Sequence, residues 1–93
     1  MKTWDEFEKE ISSVDDIEME TIKQKAWMVS AIIRQRRMLG WTQEQVAQRA
    51  GLSQSMVARL ENSTQIPRYD TLQKVVLALG LRFELEEIRN QLG

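Results

Sequence analysis

Residues 42–62 read TQEQVAQRAGLSQSMVARLEN, and their spacing decides the fold. Thr42 is a helix N-cap, and Val46, Ala47 and Ala50 recur at helical spacing until Gly51 ends the run. Only Leu52 intervenes before Ser53, a second N-cap, and Met56, Val57 and Leu60 set the apolar spacing of the next helix. Two helices joined by so short a link must cross at a steep angle. Ala47 and Ala50 are small enough to let them approach closely. The second helix then projects a polar face that carries Gln54, Ser55, Ala58 and Arg59.

Upstream of Thr42, the pattern predicts one long helix over about 14–39, with Ile22, Ala26, Val29 and Ile33 on one stripe and Gly40 as its stop. Asp15, Asp16, Glu18 and Glu20 in its first turns suit the positive end of the helix dipole. Ahead of it, 3–11 predicts a short helix, with Thr3 and Glu6 at capping-box spacing and Trp4, Phe7 and Ile11 on one face. Downstream, the loop 63–68 holds the single proline, Pro67. A helix over about 69–79 turns Leu72, Val75, Val76 and Leu79 inward and ends at Gly80. The tail has two readings. Leu81, Phe83 and Leu85 alternate as in a strand, whereas Leu81, Leu85, Ile88 and Leu92 also fit a helix. A lone strand needs a backbone partner, so a strand here predicts pairing with a second copy or with another protein. Trp27 reads as core or interface, and Trp41 as a cap on the junction ahead of Thr42.

Composition narrows the chemistry. Ninety-three residues make one domain with a small core. There is no cysteine, which excludes disulfides and thiolate metal sites, and no histidine, which removes imidazole acid–base chemistry. No paired catalytic constellation stands out, so neither an enzyme nor a metal or other cofactor is expected. Without a signal peptide or a long apolar run, the expectation is a cytoplasmic protein with no membrane contact. The net charge of −1 hides a strong asymmetry. Residues 1–22 carry a net −6, residues 23–82 a net +7, and residues 83–93 a net −2. A basic middle between acidic ends is the electrostatic footprint of a nucleic-acid binder.

The helix pair at 42–62 has the geometry of a helix-turn-helix, whose second helix enters the major groove of DNA. From Ile33 to Leu81 the chain resembles the Cro/repressor (Xre-type) helix-turn-helix family, above all in LGWTQEQVAQRAGLSQSMVARLEN followed by IPRYDTLQKVVLALGL. More narrowly it is similar to the HigA-type antitoxins of type II toxin–antitoxin operons. The shared features are the acidic N-terminal extension, the ARLE segment and the LGL tail. The resemblance implies an all-α, five-helix-type, lambda-repressor-like domain with an acidic N-terminal helical extension and a short C-terminal strand near 82–86. The expected division is a toxin-binding arm over 1–22, a DNA-binding domain over 23–80 and a dimerising tail over 81–93.

The resemblance also assigns roles. Gln43 bonds a phosphate and a neighbouring glutamine, and Gln54, Ser55, Met56 and Arg59 face the groove. Glutamine suits adenine and arginine suits guanine, each bidentately, and Met56 suits a thymine methyl. Ser53, which caps the reading helix, belongs with them to the expected DNA-binding set. Asn62, Ser63, Thr64 and Gln65 lie along the phosphates, with Arg68 and Lys74 as further phosphate contacts. Arg36 and Glu61 form a structural ion pair between the first and third of these helices, while Arg34 and Arg37 are solvated or face phosphate. One reading head makes too few base contacts, so a homodimer on a palindromic double-stranded operator is expected. Trp4, Phe7, Glu8, Ile11, Val14 and Ile17 form the expected contact with a small basic toxin. The alternative is a stand-alone phage-type repressor without a toxin.

Overall fold

The computed structural model describes residues 13–62 and 67–87. Four helices follow one another among them: α1 (Val14–Met38), α2 (Gln43–Ala50), α3 (Gln54–Asn62) and α4 (Tyr69–Ala78). The described part is all-α with four helices, so the five-helix count expected of the domain is not met among the described residues; the short helix expected at 3–11 lies outside them. The chain divides into two compact units. One is Lys25–Phe83, and the other includes residues 13–24 and 84–87.

Each helix starts and stops for local reasons. Ser13 opens α1, its Oγ accepting the Asp16 N–H at 3.2 Å. Asp15 and Asp16 in the first turn, with Arg36 and Arg37 in the last, complement the helix dipole. In α4, Leu72, Val75 and Val76 are buried, and Leu79 just past its end is buried with them.

The core lies within the Lys25–Phe83 unit. Ile32 from α1, Val46 and Ala47 from α2, Val57 and Leu60 from α3, and Leu72, Val75, Val76 and Leu79 at α4 form one buried cluster. Met28, Trp41, Ala50, Leu52 and Leu81 pack around it. The α2 helix packs on both α3 and α4 and so holds the centre of the domain.

Three expectations are corrected. The buried stripe of α1 runs through Met28 and Ile32, not through Ile22 and Ala26, which are exposed; Val29 and Ile33 are half-buried. The run 28–33 is apolar at all but one position, so periodicity alone does not select a face. Polar partners do: Gln35 Nε2 donates to the Leu79 carbonyl at 3.1 Å, and Arg36 bonds Glu61, which fixes the rotation of the helix about its axis. Trp27 is 75% exposed, which overturns the core reading of that residue and leaves the interface one. Finally, 82–86 forms neither strand nor helix; residues 81–87 lack regular structure. No strand exists among the described residues to pair with it, and an extended segment becomes a strand only through its backbone partner.

Candidate nucleic-acid interface

The α2–turn–α3 segment is fixed at each joint by its own residues. Thr42 and Gln45 form a full capping box. Thr42 Oγ1 accepts the Gln45 N–H at 3.1 Å, and Gln45 Oε1 accepts the Thr42 N–H at 2.8 Å. Gly51 ends α2 at φ 71° and ψ 33°, a left-handed conformation that side-chain-bearing residues adopt only at a cost. The Leu52 N–H then returns to the Ala47 carbonyl at 2.9 Å. Ser53 opens α3, its Oγ accepting the Met56 N–H at 3.3 Å and lying 3.1 Å from the Ser55 hydroxyl.

This frame divides α3 by face. Val57 and Leu60 are buried against α2, while Gln54, Ser55, Met56 and Arg59 are exposed. The result is a short helix held firmly on one side and offering polar groups and a thioether on the other.

Hydrogen bonds run between the N-termini of α2 and α3 and onward to α1. Gln54 Nε2 donates to Gln43 Oε1 at 2.8 Å, and Gln43 Nε2 donates to Glu61 Oε1 at 3.0 Å. Arg36 grips Glu61 with two prongs, Nε to Oε2 at 2.8 Å and Nη2 to Oε1 at 2.9 Å. A third donor of Arg36, Nη1, reaches the Trp41 carbonyl at 3.0 Å. The Glu61 side chain is only 3% exposed, so its carboxylate sits inside the domain paired with the guanidinium. The hydrogen bond to Glu61 holds the Arg36 guanidinium above its ordinary range, outweighing the desolvation that opposes it. The Gln43–Glu61 bond and the Arg36–Trp41 bond carry no sequence signal, because neither pair falls on a helical repeat.

The other expected contacts are distributed as follows. Asn62 is exposed at the end of α3, while Ser63, Thr64 and Gln65 lie outside the described residues. Arg68 is exposed and pairs loosely with Asp70 at 3.7 Å; Lys74 is exposed. Arg34 and Arg37 line an open groove on α1 with Ser30, Ile33 and Met38. Arg49, which the sequence reading left unassigned, stacks its guanidinium 3.9 Å over the ring of Trp41. Of the expected toxin contacts, Val14 and Ile17 are exposed at 71% and 54%, and Trp4, Phe7, Glu8 and Ile11 lie outside the described residues. Among the described residues no acidic cluster could hold a metal ion, and no helix is long and apolar enough to cross a membrane.

A capped helix pair around a left-handed glycine, presenting the polar face of its second helix, defines a DNA-binding head. The sequence pattern of the helix-turn-helix family matches residues 32–85, more than half of the chain, and the chain belongs to that family. An uncharacterised HTH-type transcriptional regulator of Haemophilus influenzae is 29% identical to it over 86 residues. That alignment covers 92% of this chain and 86% of the relative. No solved structure matches.

Proposed function

We propose that this protein is a transcriptional regulator that reads a specific operator with α3. The observation that carries this reading is the exposure of Gln54, Ser55, Met56 and Arg59 on a helix whose opposite face, Val57 and Leu60, is locked in the core. Gln54 and Arg59 address base edges, Met56 a thymine methyl, and Ser55 a base or a phosphate. Gln43, Ser53, Asn62, Ser63, Thr64, Gln65 and Arg68 hold the phosphates and set the register. Two copies act together on a palindrome, and the exposed Phe83 and Leu85 in the tail are apolar groups against which a second copy packs.

The test is selection of bound sequences from a pool of random duplexes. The expected product is two inverted half-sites about 34 Å apart, one helical turn. Arg59→Ala and Gln54→Ala are each expected to weaken binding to the selected duplex on the order of tenfold while leaving far-UV circular dichroism unchanged. Unaltered affinity in both variants would remove α3 as the reader.

A second reading, an antitoxin that also represses its own operon, is favoured by the first turns of α1. There Val14, Ile17, Met19 and Ile22 are all more than half exposed beside Asp15, Asp16, Glu18 and Glu20. Uncovered apolar groups among carboxylates suit a basic protein partner, such as a small ribonuclease toxin. Recovery of a stoichiometric small basic protein, encoded beside this one, from the native host supports it. Recovery of the protein with DNA alone returns the chain to a stand-alone regulator.

A further inference from the structure

We propose that Glu61 and Arg36 are positioning residues that set which way round the Gln54 amide meets a base, making Gln54 a reader of adenine rather than guanine. The inference rests on α3 being the reading helix. An ionised carboxylate only accepts hydrogen bonds. Arg36 holds the Glu61 carboxylate in place, with donors at 2.8 and 2.9 Å on its two oxygens and a third donor anchored 3.0 Å from the Trp41 carbonyl. Glu61 Oε1 therefore takes an N–H from Gln43, at 3.0 Å, and the Gln43 amide is turned with its nitrogen inward and its oxygen toward Gln54. That oxygen in turn demands an N–H from Gln54, which it receives at 2.8 Å. The opposite orientation of Gln54 would set oxygen against oxygen.

The outward edge of Gln54 is thus left with Oε1 beside its remaining N–H, an acceptor next to a donor. Adenine in the major groove offers the complement, a donor at N6 and an acceptor at N7, whereas guanine offers two acceptors. A reversed Gln54 amide would present two N–H donors and suit guanine instead. A buried charge near the end of α3, about 10 Å along the helix from Gln54, therefore selects the base read at its start.

The experiment uses the full chain and the duplex selected from the random pool, with single-base replacements compared by competition. Gln54→Ala identifies the position that Gln54 reads, the one whose preference it erases. There the unmodified protein is expected to favour adenine over guanine on the order of tenfold or more. Glu61→Gln supplies an amide that donates as readily as it accepts, so the polarity is no longer imposed. It is expected to bring adenine and guanine within about threefold at that position alone. Gln43→Met, which leaves the Arg36–Glu61 pair whole, is expected to do the same, with a uniform loss at every sequence from its phosphate contact. General loosening of the fold weakens all sequences alike and does not exchange one base for another. A folded Glu61→Gln protein with its adenine preference intact overturns the proposal. If that variant melts below the assay temperature, Gln43→Met decides by the same criterion. If no duplex is selected, or if Gln54→Ala erases no preference, the reading of α3 falls and this proposal falls with it.

Discussion

A carboxylate with 3% of its side chain exposed is tolerable only because its oxygens are filled, and Glu61 receives two N–H groups from Arg36 and one from Gln43. Arg36→Ala withdraws the matching charge and leaves Gln43 alone with a buried anion. We expect a loss of about 3 kcal/mol, read as a lower urea midpoint with an unchanged slope. A loss below about 1 kcal/mol would mean that water replaces the guanidinium, as at an exposed pair. The pH behaviour follows from the raised Arg36 value. A group whose folded value exceeds its unfolded one contributes in full below the unfolded value and loses that contribution only as pH rises through the folded one. Both lie above the ordinary range for proteins in solution, so Arg36 contributes a constant amount through neutrality. No periodic spacing in the sequence foretells a three-residue cluster drawn from positions 36, 43 and 61, because it depends on how three helices meet.

Among the helices, the bounds of α2 and α3 were legible residue by residue, since their caps are local: Thr42, Gly51 and Ser53 act within a few residues of themselves. The face of α1 was not legible, because Met28, Val29, Ala31, Ile32 and Ile33 offer several apolar stripes and the choice is made by bonds to distant groups. The tail failed for a different reason, as alternation describes a strand only when a neighbour is there to pair with it. The turn between α2 and α3 gives a clean element-level test. A Cβ on Gly51 would meet nothing within 4 Å, so the penalty for Gly51→Ala is conformational alone, from φ 71°. We expect it to destabilise the domain by about 1–2 kcal/mol in thermal unfolding, with DNA affinity changed little at temperatures where the variant is folded. An unchanged melting temperature would show that the turn relaxes to a right-handed form.

On the scale of the whole molecule, acidic charge and core are separated along the chain. Every buried core residue among those described lies in the Lys25–Phe83 unit, where most of the basic groups also lie, and the acidic residues gather toward the ends of the sequence. The sequence displayed this asymmetry directly, since summing charge by segment requires no structure. A partner for the acidic end is not legible in the same way, because a partner's surface is not part of this chain. Deletion of residues 1–13 is accordingly expected to leave affinity for the selected duplex intact and to abolish any neutralisation of a co-encoded toxin. A truncated protein that still protects cells from that toxin would place neutralisation elsewhere, and a large fall in duplex affinity would show that the arm supports the reading head.

The division of α3 into a locked face and an open one bears on how such a head changes its target. Met56 and Arg59 stand clear of the core, so, with α3 as the proposed reader, exchanging them is expected to alter the text being read at little expense to the fold. Position 54 is different, because its side chain is tied to Gln43 and through it to Glu61. A new letter there calls for a companion change in α2. Drift toward new operators therefore has an easy route and a guarded one: single steps at 56 and 59, and paired steps at 43 and 54.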